Sequence, residues 1–445
     1  MDYDRGQGKY FELRLLYTAG EAFELRHDDH PLRQWAVDEM HLRRFAPVSN
    51  HCEIYQSVRL IEAGDRAGEN QRLINERPEF DVWALAPRYA SGKTKSGIYF
   101  LWERHTEAST VTLIFPQYAP EHIRAPYLRW MEQWTGAVVR ATRVFIVPSD
   151  SDMDAEIKAL GFDSDDIVCS DINYGLRIWS DFGIHADAYG RLLVAAGDVS
   201  DSERGRIIQR VQELGNYRNL ALLGFPMVQQ YGPQIDDLEH RLSEHAESFA
   251  FANHDDDDAV LLAQLADLSS RLELIRSATG FRLSATTAYS EVAADRLNAL
   301  NIQPVANYQN LTEFTERRLI PASRSCSVFL KRLDRIAERI SRVMHTLDVR
   351  IDTRIKAQNL SLTQSMEKST QLQLRLQTLV EGLSVIAAAY YLVGLIAYIT
   401  KGFSALRGGS STDLFIGAIT IPVILSIYFL VGRLRGKVLN DTGSH

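Results

Sequence analysis

The residues whose types and spacing could do chemistry fall in separate groups along the chain. His30, Arg33, Glu39 and His41 bring imidazole, guanidinium and carboxylate into one short stretch. That set suits a metal site or a polar clasp, and with spacing as the only guide the clasp is the expected role. Glu103 and His105 follow an apolar run, and strand alternation puts both on one face, where a buried ion-paired network is expected rather than catalysis. Asp255, Asp256, Asp257 and Asp258 form an unbroken acidic run. Such a run caps a helix N-terminus or holds a divalent cation between subunits. Toward the C-terminus, Glu381, Ser384, Tyr391, Gly394, Tyr398 and Thr400 are the polar or small positions in or beside a charge-free stretch, and Lys401 closes it. Tyr391, Gly394 and Tyr398 share a helix face, which would line a pore or pack helix on helix. The segment SGKTKSG has Pro87 where a phosphate loop needs its first glycine, so that motif is rejected. With no nucleophile, cofactor loop or close metal spacing left, an enzyme is not expected.

These groups need elements to position them. Residues 1–235 read as an α+β cytosolic domain: a hairpin over 81–116 with Gly92 and Gly97 at its tip, a helix over 127–138 started by Pro126, a buried strand at ATRVFIVP, and further short strands over 167–196. Residues 236–320 read as a helical layer without strand signal, in which Leu261, Leu265, Leu268, Leu272 and Ile275 make an apolar stripe. A long stalk helix is expected over 321–382, after Pro321.

Residues 383–400 and 414–432 carry no charged side chain, and about 20 apolar residues cross a bilayer as a helix. They read as two transmembrane helices, with a short external loop over 401–413 and a basic tail over 433–445. Arg350, Arg354, Lys356, Lys368 and Arg375 precede the first span, and Arg433, Arg435 and Lys437 follow the second. Both flanks therefore favour the cytoplasm, and both termini are expected there. The 445 residues are 45% hydrophobic and 24% charged with a net charge of −8. Those figures exclude collagen-like and wholly disordered classes and make nucleic acid an unexpected partner. Cys52, Cys169 and Cys326 lie far apart, without disulfide or zinc spacing. A single stalk buries too little surface, so self-association is expected.

The stretches HPLRQWAVDEMH from His30, FLWERHTEAS from Phe100, YRNLALLGFP from Tyr217 and LQLRLQTLVEGLSVIAAAYYLVGLIAYITKG from Leu372 resemble the bacterial membrane family catalogued as domain of unknown function 3422. That family's first motif usually continues HARP, where this chain has His41, Leu42, Arg43 and Arg44. The order of parts is similar to the CorA-type divalent-cation channels, which are pentamers. This second resemblance implies a pentamer in the bacterial inner membrane with a pore lined by the first span. The CorA superfamily ends that span with Gly-Met-Asn, whereas Tyr398, Ile399, Thr400, Lys401 and Gly402 stand here. A lysine at a pore mouth repels Mg²⁺, so magnesium selectivity is not implied. The expectation is a homo-oligomeric, CorA-like ion channel or transporter. The alternative is a membrane-anchored scaffold or sensor whose cytosolic domain binds a partner.

Overall fold

The computed structural model describes residues 30, 32–33, 36–37, 40, 45–62, 64–116, 119–163, 165–251, 257–404, 419–429 and 433. The chain divides into two compact units, Met1–Arg342 and Val343–His445. The first is built on a ten-stranded sheet in the order β10-β7-β8-β9-β6-β1-β5-β4-β3-β2. Its strands are β1 (Cys52–Leu60), β2 (Val82–Ala86), β3 (Tyr89–Lys93), β4 (Tyr99–Arg104), β5 (Ala108–Pro116), β6 (Ala137–Val147), β7 (Val168–Ile172), β8 (Leu176–Ser180), β9 (Gly190–Ala195) and β10 (Gln303–Pro304). Neighbours are antiparallel except β6 and β9, which run parallel. The helices are α1 (Arg66–Ile74), α2 (Glu121–Glu132), α3 (Met153–Leu160), α4 (Asp201–Leu222), α5 (Phe225–Phe251), α6 (Asp257–Ala299) and α7 (Leu311–Ser404). A shorter apolar helix, α8, covers Ile419–Phe429.

Period-two patterning decides what each face of the sheet buries. On β1 and β6, Ile54, Val144 and Ile146 face α4, where Ile207, Ile208, Val211 and Leu214 meet them, together with Ala293 and Leu297 of α6. Their intervening neighbours face the other way. There Tyr55, Phe100, Trp102 and Phe115 pack with Leu73 of α1, with Trp130 and Met131 of α2, and with Trp134. Full burial of one such side chain contributes roughly 1.5–3 kcal/mol, so these two layers hold the sheet. The aromatic layer is pinned by a carboxylate: the buried Glu69 of α1 accepts from Trp102 Nε1 at 3.0 Å, Trp134 Nε1 at 3.1 Å and Arg104 Nε at 3.2 Å.

Local signals set several boundaries. Ser200 Oγ accepts from Glu203 N at 3.3 Å and caps α4, the S-x-x-E pattern of a capping box. Asn310 Oδ1 accepts from Glu313 N at 2.7 Å and starts α7. That start precedes the expected one, because Pro321 lies inside the helix rather than before it. Proline removes a single backbone hydrogen bond, and burial of Leu319, Ala322 and Cys326 around it holds the helical path.

Further prolines lie inside helices in the same way. The helix expected over 127–138 is Glu121–Glu132 with Pro126 within it, and α5 contains Pro233. The expected hairpin over 81–116 is a four-stranded meander, since Pro87 and Arg88 form an extra turn between the paired Ala86 and Tyr89. Gly92 sits within β3, where a Cβ would lie 2.7 Å from the Phe80 ring, while Gly97, at φ +89°, does occupy a turn. The region expected to lack strands contains β10, two residues that pair with Asp171 and Ser170. Two residues are too short to carry a periodic signal.

The apolar stripe of α6 is buried at Leu261, Leu265, Leu268, Leu272 and Ile275. Arg332 of α7 donates to Asp236 at 2.6 Å and to Glu239 at 2.7 Å on α5. In the second unit, the part of α7 over 343–404 is about 93 Å long at 1.5 Å per residue. Among the described residues α7 is the helix long and apolar enough to cross a membrane, judged by length and composition. The remainder of 414–432, the loop beyond residue 404 and the tail apart from Arg433 lie outside the described residues.

Candidate functional site

A polar network occupies the centre of the otherwise apolar layer between the sheet and α4. Register brings Thr112 of β5, Gln56 of β1 and Thr142 of β6 into one row. Gln56 Nε2 donates to Thr112 Oγ1 at 3.0 Å. From α4, one turn apart, Gln212 Nε2 donates to Thr142 Oγ1 at 3.0 Å and Asn216 Nδ2 donates to Gln56 Oε1 at 3.0 Å. Arg140, two positions along β6, completes the network with Nη1 on Asn216 Oδ1 at 2.7 Å and Nη2 on Gln212 Oε1 at 2.9 Å. Gly215 makes room for it, since a Cβ there would lie 2.6 Å from the guanidinium.

Arg140 is therefore held by neutral amides. Burial, with Arg218 nearby, pulls its guanidinium down to about 9. Burial alone pulls Arg218 down to about 10. Both values lie well above neutral pH, so both side chains are cations there. Arg218 Nε donates to Asn219 Oδ1 at 3.4 Å, and the guanidinium lies 4.6 Å from the centre of the Phe182 ring. Phe182 in turn stacks on Phe314 of α7 at 4.4 Å.

The network separates two cavities. The smaller, about 70 Å³, is lined by Glu103, His105, Glu213 and Tyr217 together with Gln212 and Asn216. His105 Nε2 shares a hydrogen bond with Thr110 Oγ1 at 3.2 Å, and its ring meets Tyr217 edge-on at 6.0 Å. The larger, about 160 Å³, has Arg140, Arg191, Arg218, Asn219, Phe182 and Leu311 in its wall.

Glu103 and His105 thus share one face and one cavity. His30 and Arg33 are exposed and do not line it, while Glu39 and His41 lie outside the described residues. Asp255 and Asp256 also lie outside them; Asp257 opens α6 and Asp258 is buried. Among the described residues no group of three or more His, Cys, Asp or Glu side chains is placed to hold a metal ion. On α7, Glu381 Oε1 accepts from Gln377 at 3.3 Å and Ser384 Oγ donates to Val380 O at 2.8 Å. Tyr391 is 76% exposed and Tyr398 81%, and a Cβ on Gly394 would meet nothing within 4 Å. Thr400 and Lys401 belong to the last turns of the helix.

Arg140, Arg218, Gln212 and Asn216 were not singled out by sequence reasoning. The signal was present in β6, where Arg140 and Thr142 share the parity of the buried Val144 and Ile146. A charge on a core-facing parity requires a partner or a ligand. Arg218 and Asn219 lie within YRNLALLGFP, a stretch that resemblance marked without giving a role.

The family described as "Protein of unknown function (DUF3422)" matches residues 28–438. The chain belongs to that family. No curated protein matches it.

Proposed function

We propose that this member of the DUF3422 family is a membrane-anchored homo-oligomer in which α7 enters the bilayer and, with its copies, lines a path for an ion. The observation that carries this reading is the apolar end of α7. Its side chains, including Leu383, Ile386, Leu395 and Ile399, are exposed, and a long apolar helix left bare in water is strongly disfavoured. Lipid and neighbouring copies supply the missing cover. Tyr391, Gly394 and Tyr398 then form the polar stripe of the path, with Glu381 at its inner end and Lys401 at its mouth. The order of parts, resembling the CorA-type channels, supports a pentamer with both termini in the cytoplasm of a bacterial inner membrane. A divalent cation bound between subunits by residues 255–258 belongs to the same proposal.

Purified protein in proteoliposomes, loaded with an ion-sensitive dye, tests it. Flux in the parent and a several-fold change in Glu381→Gln and Tyr391→Ala are expected. A parent without flux for any monovalent or divalent cation overturns the channel. A second reading, a membrane-anchored sensor, is favoured by one specific observation: α7 contributes Leu311 to the wall of the larger cavity. A sensor keeps its function when residues 383–432 are exchanged for an unrelated two-helix anchor, whereas a channel loses it.

A further inference from the structure

The larger cavity has three arginines in its wall, Arg140, Arg191 and Arg218, and neither aspartate nor glutamate. Arg191 is answered from outside the wall by Asp187 at 3.3 Å. Arg140 and Arg218 make no ion pair with any described carboxylate, and the described residues accept no hydrogen bond from the Arg218 Nη1 and Nη2 atoms.

Elsewhere in the same unit the chain does answer such charges. Arg104 pairs with Glu69, Arg124 and Arg143 share Glu53, and Arg204 pairs with Asp201. Arg218 is buried and Arg140 partly buried, and the two lie near enough for Arg218 to disfavour the Arg140 charge; such a pair without a counter-charge is costly to fold around. A bound anion removes that cost.

The cavity's shape narrows the choice. About 160 Å³ holds several waters and hence a group larger than a halide. The guanidinium fork matches the paired oxygens of an oxyanion. Phe182, a non-glycine residue at φ +51°, sits in a sparsely populated conformation that keeps its ring beneath Arg218 and against Phe314. The two rings seat the Arg218 guanidinium, at 4.6 Å from Phe182 and 5.5 Å from Phe314, in the wall of the cavity.

We infer that this cavity binds a compact multivalent oxyanion of the phosphate class, with Arg218 as its direct ligand and Arg140 as the second positive charge. The ligand is free phosphate or the phosphoryl end of a small metabolite. Because Leu311 and Phe314 belong to the first turn of α7, the occupied cavity also braces the start of that helix. The inference is independent of whether α7 lines an ion path.

Calorimetric titration of the full chain in detergent, freed of phosphate by dialysis, provides the test, with inorganic phosphate and ADP as separate probes. Saturable binding near one site per chain is expected, weakened at least tenfold in Arg218→Gln. Asn219→Asp places a carboxylate beside Arg218; this variant is expected to melt at a higher temperature than the parent and to ignore phosphate. Binding of phosphate itself identifies the free ion as sufficient, and binding of ADP alone identifies a phosphorylated metabolite. The inference is overturned if neither probe binds the parent, or if binding persists unchanged in both variants. Should Arg218→Gln fail to fold, Asn219→Asp decides: a lower melting temperature with phosphate binding intact counts against the site.

Discussion

At the scale of single residues, buried charges were the least legible part of this molecule. Strand alternation located Glu103 and His105 on a shared face, and helical spacing located the stripe on α6, because both follow from backbone period alone. Nothing local announced that Glu69 serves two tryptophans and an arginine, since its partners lie 33, 35 and 65 positions away. Those contacts make a specific demand. Trp102 and Trp134 both donate to Oε1, while Arg104 donates to Oε2. An amide oxygen can serve the tryptophans, but its NH₂ then faces the Arg104 Nε–H, donor against donor. Glu69→Gln is therefore expected to cost about 3 kcal/mol, read as a lower urea midpoint with tryptophan fluorescence as the probe. A loss below about 0.5 kcal/mol would show the carboxylate to be dispensable.

At the scale of elements, hydrophobic pattern found β6, the short strands over 167–196 and the long helices but not β1, the strand between β6 and β5 in the middle of the sheet, while proline blurred the helix ends. Pro126, Pro233 and Pro321 each lie within a helix, because tertiary burial outweighs the single hydrogen bond each removes. The first turn of α7 was concealed for that reason, although Asn310 followed by Glu313 was a readable cap. Pro321 is exposed, so alanine there meets no crowding and restores the bond to the Arg317 carbonyl. Pro321→Ala is expected to stabilise the protein by about 2 kcal/mol, after allowing for the greater freedom of the unfolded chain. Thermal unfolding of the detergent-solubilised protein checks this; an unchanged or lower midpoint refutes it.

At the scale of the whole molecule, the sheet domain followed by a long helix was legible from the shift in pattern along the chain, while strand order was not, because pairing across the sheet leaves little local trace. The thiols report on the integrity of the first unit. Burial pushes Cys52 and Cys169 up to about 12 and Cys326 up to about 11, from an ordinary value of 9.0. A raised folded-state value means that the folded chain keeps a proton the unfolded chain releases. The associated stability is thus whole below pH 9 and is lost as pH climbs toward 12. The stability gap between the parent and Cys52→Ala is expected to be flat to pH 8.5 and to narrow above pH 9 by roughly 1 kcal/mol per pH unit. Urea titrations across that range decide it, and a gap that stays level or widens refutes it. A last consequence concerns synthesis and follows from β10, which closes the β7 edge with residues encoded far downstream. A nascent chain leaves the ribosome with that edge incompletely paired until Gln309, which accepts from Cys169 N at 3.0 Å, has emerged. Its backbone groups are open to any passing strand in that interval, and the apolar end of α7 is made only after the edge is sealed. The growing sheet is therefore open to mispairing before the apolar end of α7 has been made.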